Sequence, residues 1–153
     1  MSNLSNNYIA GDWVKGASSI SNINPSNTND VIGEFAQASN SQLEDALNSA
    51  QVAQRQWAVT GLEQRQAVLM KIGEEMMARS AELGELLSRE EGKPVAEGKG
   101  EVYRAGQFFT YYAAEVLRQG GDTADSVRPN IEIDVRREPM GTVAIISPWN
   151  FPT

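Results

Sequence analysis

Residues 141–153 read Gly141-Thr142-Val143-Ala144-Ile145-Ile146-Ser147-Pro148-Trp149-Asn150-Phe151-Pro152-Thr153. The first seven form a nearly continuous apolar run, rich in β-branched side chains and bounded by Gly and Pro, which is typical of a strand covered on both faces. Such strands belong to parallel sheets packed between helices, so the stretch predicts an α/β fold. In open parallel sheets, ligands bind just beyond the carboxyl ends of the strands. Residues 147–152 are therefore the candidate ligand-binding loop.

Asn150 is the candidate catalytic residue of this loop. Two prolines fix φ and restrict the residues before them, Ser147 and Phe151, so the loop is expected to be stiff. A rigidly held carboxamide can donate to an oxygen that becomes negative in a tetrahedral intermediate, and losing one such donor costs about 3–4 kcal/mol. The alternative, which the pattern alone favours, is that Asn150 caps the loop by bonding its own backbone.

The composition excludes several classes of protein. Of the 153 residues, 41% are hydrophobic and 22% charged, which is typical of a globular domain. The formal net charge of −7 argues against a nucleic-acid partner, which would require a basic face. No secretory signal and no apolar run of membrane-spanning length occurs, so we expect a cytoplasmic protein without membrane contact. Cysteine and histidine are both absent, so we expect neither disulfides nor a metal site.

The first forty residues predict short antiparallel strands followed by a helix. A small hairpin is expected around Gly11, and a cluster of turn formers at 24–30 precedes a strand at 31–35. The helix that follows is predicted to begin with a capping box made by Ser41 and Glu44.

Residues 62–119 predict three helices. Apolar residues at helical spacing indicate two adjacent helices that end at Gly92, a plausible carboxyl cap, with Pro94 as a stop. A longer helix is predicted from Pro94 to Gln119. It carries the aromatic side chains Tyr103, Phe108, Phe109, Tyr111 and Tyr112. We expect these aromatic side chains to pack the helix against its neighbours, because aromatic residues bury large areas.

Two segments predict strands with unpaired edges. Residues 131–137 alternate apolar and charged side chains with a period of two, which indicates a half-exposed strand. Such edges are usually paired or protected in proteins. The predicted strand at 141–147 needs parallel neighbours that we do not find in the chain. Both edges are therefore expected to be bare in these 153 residues.

Five motifs in the same order resemble the NAD(P)-dependent aldehyde dehydrogenase family. The most specific is Pro148-Trp149-Asn150-Phe151-Pro152 after an apolar strand. The others are Tyr8-Ile9-Ala10-Gly11-Asp12-Trp13, Asn24-Pro25-Ser26, Glu90-Glu91-Gly92-Lys93-Pro94 and Arg137-Glu138-Pro139-Met140-Gly141-Thr142-Val143. The resemblance covers essentially the whole chain. It implies the amino-terminal part of that α/β fold: short antiparallel strands, a helical hairpin and long helix, a strand arm, and the first strand of a Rossmann-like parallel sheet.

The resemblance also implies a division of the chain. Residues 1–122 would form the amino-terminal part of the cofactor-binding domain, 123–139 a strand arm for oligomerisation, and 140–153 the truncated start of the Rossmann-like core with its active-site loop. The full-length form would be a homo-oligomer.

The site residues that the resemblance implies cluster in the loop. Asn150 matches the asparagine that holds the thiohemiacetal oxyanion and also borders the cofactor, and Phe151 matches an aromatic of the substrate tunnel. The strand end that packs along NAD or NADP corresponds to Ile146, Ser147, Pro148 and Trp149. The family's catalytic cysteine and general-base glutamate have no match here. Because the reaction requires a thiolate, we expect these 153 residues alone to be inactive.

Arg104 is the candidate substrate-specificity residue. It corresponds to a tunnel position that is apolar in many members, and its guanidinium could grip a substrate carboxylate in a bidentate pair. A plain surface position or an interhelical salt bridge is the alternative. Residues 23–38, 88–93 and 102–107 look most similar to the 2-oxoglutarate (ketoglutaric) semialdehyde dehydrogenases, with succinate-semialdehyde dehydrogenase as the neighbouring alternative.

The expected function is therefore oxidation of a small carboxylate-bearing semialdehyde, such as 2,5-dioxopentanoate, to the acid with NAD or NADP. An alternative of another class is a non-catalytic subunit that pairs with a full-length dehydrogenase.

Overall fold

A computed structural model describes residues 4–153, which contain seven strands and four helices. The strands are β1 (Leu4–Ser5), β2 (Asn7–Ile9), β3 (Asp12–Val14), β4 (Ser18–Ile23), β5 (Val31–Gln37), β6 (Asp122–Asp125) and β7 (Glu132–Val135). The helices are α1 (Asn40–Ala58), α2 (Leu62–Ala78), α3 (Ser80–Glu91) and α4 (Val95–Val116). This mixed architecture confirms the predicted α/β class.

The amino-terminal strands pair as two antiparallel hairpins. β2 and β3 turn at Ala10 and Gly11, both with positive φ, and stack Tyr8 on Trp13 at 5.0 Å between ring centroids. The predicted hairpin is thus confirmed. β4 pairs with β5 in the same antiparallel sense, but β1 lies parallel to β5 on its other side. β1 was not predicted from the sequence, and its parallel pairing adds a strand to the expected antiparallel ones.

Helix α1 begins two residues earlier than the predicted capping box. Ser39 is the N-cap: its hydroxyl accepts from the Gln42 backbone N–H at 3.2 Å, and the Gln42 side chain accepts from the Ser39 N–H at 3.0 Å. The box of Ser41 and Glu44 is not formed, because glutamine at the third helical position serves as well as glutamate. The Gln42 amide also donates to the Lys15 carbonyl at 2.7 Å, which ties the helix to the strands.

Helices α2, α3 and α4 form the core through small residues. The two adjacent helices are confirmed, and Gly92 caps α3 with a left-handed φ of 78°. α3 ends before Pro94, and Pro94 is the N-cap of α4, as predicted for the start of the longer helix. The buried apolar side chains belong to Leu87, Val102, Ala105, Ala113 and Val116.

The aromatic side chains of α4 do not pack it against α2 and α3 as expected. Tyr103, Phe108, Tyr111 and Tyr112 are about half exposed. Glycines occupy the helix crossings instead: a Cβ added at Gly84 would lie 2.5 Å from the Lys99 Cα. Since backbones in such contact leave no room for rings between them, Tyr103, Phe108, Tyr111 and Tyr112 remain on the outer face of α4.

β6 and β7 form an exposed antiparallel hairpin. The predicted strand at 131–137 is present as β7, in shorter form. Its partner β6 belongs to the same chain, with Asp122 opposite Val135 and Asp125 opposite Glu132. The expectation that this edge would be bare is therefore wrong on the side that β6 covers.

Residues 141–147 do not form the predicted strand. They run without regular secondary structure and are exposed throughout. A strand requires a neighbour for its ladder hydrogen bonds, and no other segment of residues 4–153 pairs with this one.

The chain exposes far more surface than its mass requires. Its accessible surface is 11755 Å² for 16.7 kDa. A compact monomer of that mass would expose about 7,600 Å². Much of the excess is apolar and includes Trp13, Trp57, Ile146 and Trp149, so the fold leaves apolar surface that a globular monomer would cover.

Candidate active-site loop

The loop at 147–153 bends beside the beginning of α4. The chain turns at Trp149, Asn150 and Phe151, between the two prolines that limit its conformations. The Asn150 backbone carbonyl accepts a hydrogen bond from Nζ of Lys93 at 3.0 Å. The Asn150 carboxamide has no hydrogen-bond partner among residues 4–153. Asn150 is therefore not used to cap its own loop, and its N–H groups are available to a ligand.

Lys93 connects the loop to the helices. Nζ donates to Glu101 Oε2 at 2.5 Å and forms an ion pair with Glu91. The same ammonium lies 4.8 Å from the centroid of the Phe151 ring, within cation–π range. The side chains of Lys93 and Glu101 are only 14% and 6% exposed. The ammonium is thus largely removed from water and surrounded by two carboxylates, a carbonyl and an aromatic face.

Glu101 holds the loop at a second point. Its Oε1 accepts hydrogen bonds from the Thr153 hydroxyl at 2.8 Å and the Thr153 backbone N–H at 3.2 Å. Burial raises the pKa of Glu101, but hydrogen bonds from Lys93 and Thr153 outweigh it, so the net pKa is lowered. Burial likewise lowers the pKa of Lys93, but its bonds to Glu101 and Glu91 leave the net pKa raised. Both groups therefore stay charged at neutral pH.

The turn between α3 and α4 brings Lys93 to this place. Gly92 adopts the left-handed conformation that a Cβ disfavours, and Lys93 follows it directly. Pro25 approaches Gly92 so closely that an added Cβ would lie 3.0 Å from its Cγ. Next to the turn, Arg89 donates twice to Asp30, at 2.7 and 2.9 Å.

Three of the sequence motifs consequently meet in space. The turn formers at 24–30 contact the end of α3, the segment 90–94 follows it, and Lys93 reaches the loop at 148–152. Their order in the sequence gave no indication of this contact.

The proposed cofactor segment is apolar and uncovered. The side chains of Ile146 and Trp149 are 94% and 89% exposed, and Ser147 and Pro148 lie between them in the same extended stretch. Ile146 and Trp149 therefore leave apolar surface uncovered next to the loop.

Arg104 lines a cavity on the outer face of α4. The cavity has a volume of about 350 Å³ and is bordered by Arg104, Gln107, Phe108, Tyr111 and Tyr112. Arg104 forms no ion pair with the described residues, so the salt-bridge alternative is not observed. Arg104 follows Glu101 by three residues, about 4.5 Å along the axis of α4.

The structure brings some of the predicted site residues together and not others. Asn150 and Phe151 both meet Lys93, whereas Arg104 lies in a cavity whose walls contain no residue of the loop. The sequence did not predict that Lys93 and Glu101 contact the loop. The available signal was the lysine of the motif at 90–94, which we used only as a landmark.

Two features are absent from residues 4–153. None of their helices is long and apolar enough to cross a bilayer. They also contain no cluster of three acidic side chains that could hold a metal ion.

Comparison with known proteins agrees with the motifs. Residues 13–153 match the model of the aldehyde dehydrogenase family. An alpha-ketoglutarate semialdehyde dehydrogenase of Haloferax volcanii is 32% identical over 99% of this chain and 32% of the relative. A crystal structure of aldehyde dehydrogenase from Brucella melitensis biovar abortus has a TM-score of 0.91 and 31% identity over 97% of this chain and 31% of its own.

A further structure, betaine aldehyde dehydrogenase of Staphylococcus aureus in complex with NAD+, has a TM-score of 0.88 and 28% identity. The alignment covers 96% of this chain and 30% of that one. The chain thus spans about a third of the length of the relatives it matches. Over nearly all of its own length, however, both sequence and fold agree with theirs, and the chain belongs to the aldehyde dehydrogenase family.

Proposed function

We propose that this chain supplies the oxyanion-binding loop and part of the cofactor surface of an NAD- or NADP-dependent enzyme that oxidises an aldehyde to a carboxylic acid. The observation that carries the proposal is the Asn150 carboxamide, which has no hydrogen-bond partner in residues 4–153 although its own backbone carbonyl is bound by Lys93. Because the Asn150 backbone is held in place, its carboxamide N–H can donate to a substrate oxygen that becomes negatively charged only during the reaction.

Asn150 acts on the substrate oxygen. When a thiolate adds to the aldehyde carbon, the carbonyl π electrons move to oxygen and the oxygen becomes an alkoxide. The Asn150 N–H donates to this alkoxide and stabilises it more than it stabilises the neutral carbonyl, which lowers the barrier to addition. The alkoxide would collapse to a thioester as a hydride leaves the same carbon for the acceptor that a bound nicotinamide would supply. Water would then hydrolyse the thioester, which releases the acid and returns the thiol.

The thiolate comes from outside these 153 residues, since the chain has no cysteine. The exposed surface, 11755 Å² against about 7,600 Å² for a compact monomer of this mass, supports docking of further polypeptide onto the chain. We propose that this polypeptide brings the nucleophile and the general base to Asn150.

The cofactor surface is formed by Ile146, Ser147, Pro148 and Trp149, with Asn150 at its border. The exposed apolar side chains of Ile146 and Trp149 support this assignment, because they would be covered by a bound nucleotide. When bound, the oxidised nicotinamide supplies the hydride acceptor for the reaction. These residues would hold the nicotinamide through apolar contact and would orient it toward the substrate.

The substrate class we propose is a semialdehyde with a carboxylate at its far end, such as 2,5-dioxopentanoate, or succinate semialdehyde as the neighbouring choice. Arg104 supports it, because its guanidinium has no ion pair within residues 4–153 and lies in a cavity with aromatic walls. Arginine binds a carboxylate through two parallel hydrogen bonds. Phe151 would line the path between this cavity and the reacting carbon.

Asn150→Ala in the complete enzyme tests the central role. We expect kcat to fall about 10²–10³-fold, as for other oxyanion donors, with a small change in KM. Asn48→Ala, which removes an exposed amide from α1, is the matched control and should leave kcat unchanged. Undiminished turnover by Asn150→Ala would refute the proposed function.

Arg104→Ala tests the substrate class. We expect KM for a carboxylate-bearing semialdehyde to rise about tenfold or more, while KM for a neutral aldehyde of similar size stays the same, because a charge-assisted bidentate contact is lost only with the former. Arg55→Ala on α1 is the control for loss of an exposed arginine. Unchanged KM for both aldehydes would exclude Arg104 from substrate binding.

The chain division also remains our proposal: 1–122 with the cofactor-binding domain, 123–139 as an oligomerisation arm, and 140–153 with the catalytic core. The exposure of every residue of β6 and β7 supports an arm that pairs with another subunit.

The same exposed surface favours a second candidate function, a non-catalytic subunit that docks on a dehydrogenase. A coding frame that continues past Thr153 into a cysteine-containing sequence selects the enzyme.

A further inference from the structure

We propose that Lys93 is a positioning residue for Asn150: by binding the loop backbone, it aims the carboxamide at the developing oxyanion. The inference rests on the proposed function, since it assigns a role within that same site. Its basis is geometric. Lys93 contacts the backbone of the residue whose side chain is the proposed donor, at 3.0 Å from the Asn150 carbonyl oxygen.

The loop is held on both sides of that contact. Phe151 lies against the Lys93 ammonium at 4.8 Å, and Thr153 is bound through both its N–H and its hydroxyl to Glu101. Glu101 is in turn bound to Lys93. Three of the four residues from 150 to 153 are therefore fixed, while the Asn150 side chain remains without a partner in residues 4–153.

The chemistry of lysine suits this position. An ammonium has three donors: Lys93 donates to Glu101 and to the Asn150 carbonyl, and it forms an ion pair with Glu91. The two carboxylates attract and orient the ammonium, and its remaining direction points at the loop. A planar guanidinium presents its donors in a rigid fork and could not reach these three groups in the same way.

Burial makes the contact effective. An ion pair in water is weak and mobile, but the side chains of Lys93, Glu91 and Glu101 are 14%, 11% and 6% exposed. The two ion pairs are therefore screened little by water and hold the ammonium in place against the exposed loop. A displacement of about 1 Å at a reacting group can cost about 10²-fold in rate, so a fixed backbone matters for kcat.

The test is steady-state kinetics of the complete enzyme with Lys93→Met. We expect kcat to fall about 10–100-fold, less than for Asn150→Ala, and KM to change less than about threefold, because a displaced oxyanion donor affects the transition state more than substrate binding. Lys71→Met, which removes an exposed lysine from α2, should leave kcat and KM unchanged. A Lys93→Met enzyme with wild-type kcat would overturn the proposal.

The double variant Lys93→Met/Asn150→Ala separates positioning from a general structural role. If Lys93 acts through Asn150, the double variant should have the kcat of Asn150→Ala alone, because interactions of one functional unit are not additive. Equal loss from Lys93→Met in both backgrounds would show that Lys93 acts elsewhere and would overturn the proposal. If Asn150→Ala itself leaves kcat unchanged, the proposed function fails, which is a separate outcome.

Hydrogen exchange of the loop provides a measurement independent of activity. Lys93→Met should increase deuterium uptake in a peptide covering 147–153, and Lys71→Met should not. If Lys93→Met does not fold, Thr153→Val decides, since it removes only the 2.8 Å hydroxyl bond to Glu101. We expect Thr153→Val to raise deuterium uptake and to lower kcat about 2–10-fold. In the Asn150→Ala background, Thr153→Val should not lower kcat further. Unchanged uptake and unchanged kcat would overturn the proposal.

Discussion

Replacing Gly84 with alanine should destabilise the chain because α3 and α4 meet there through their backbones. A Cβ at position 84 would lie 2.5 Å from both the N and the Cα of Lys99 and 2.8 Å from the Gly98 carbonyl carbon. None of these atoms belongs to a side chain that could rotate away. Gly100, in the middle of α4, is the matched control, since a Cβ there meets nothing within 4 Å.

Both variants gain the helix propensity of alanine, but only Gly84→Ala introduces a steric clash. Alanine gains about 1 kcal/mol over glycine inside a helix at either position. Forcing extra volume into a close contact costs typically about 1–3 kcal/mol, and the upper end applies at Gly84 because backbone must move. We therefore expect Gly84→Ala to lose about 2 kcal/mol and Gly100→Ala to gain about 1 kcal/mol.

Urea unfolding of the 153-residue chain, followed by circular dichroism at 222 nm, measures both free energies. The expected difference of about 3 kcal/mol corresponds to melting temperatures about 6–12 °C apart for a chain of this size. If Gly84→Ala were as stable as Gly100→Ala, the reasoning from close backbone contact would be refuted.

Three further predictions concern the ion pair of Asp30, the N-cap of α1 and the exposed apolar surface. Asp30→Asn should make the free energy of unfolding less dependent on pH between about 4 and about 2. The pKa of Asp30 is lowered from 3.8 to about 2, first by its hydrogen bond from Arg89 and then by that from Asn24, so the carboxylate stabilises the fold above its unfolded pKa and this stabilisation is lost as pH falls. Urea midpoints of both proteins at pH 2, 4 and 7 measure the effect, and parallel pH profiles would contradict the prediction. Ser39→Ala should cost about 1 kcal/mol by removing the N-cap of α1, seen as a lower urea midpoint, whereas Ser41→Ala should cost little; equal effects would contradict the observed cap. The isolated chain should bind a hydrophobic dye such as ANS because of its uncovered apolar surface, and absence of dye fluorescence would count against it.

Elements that depend on turn residues and on side-chain periodicity were predicted well from the sequence. The hairpin at Gly11, the helix end at Gly92 and the strand at 131–137 depend on turn residues and periodicity, which a few neighbouring residues determine. The N-terminus of α1 was misplaced by two residues because Ser39 with Gln42 and Ser41 with Glu44 are nearly equivalent caps by sequence.

Features that depend on distant partners could not be predicted in the same way. The strand at 141–147 has the right composition but no neighbour among residues 4–153, and composition does not reveal a missing partner. The aromatic residues of α4 suggested a packed face, yet Gly84 and Gly98 bring the helices too close to admit them. At the site, the sequence pattern alone left Asn150 open between a loop cap and an oxyanion donor. Lys93 lies 57 residues earlier, and no periodic pattern links the two.

The long sequence separation between Lys93 and Asn150 has a consequence for the order of assembly. Helices α3 and α4 are complete many residues before position 150, so during synthesis the Lys93–Glu101 pair can form before the loop exists. The loop then docks onto a prearranged charged surface, so we expect docking to follow the formation of the helices. A substitution that disturbs only the docking of the loop would leave the helix content intact but reduce activity. Its characteristic signature would be loss of activity without loss of circular dichroism.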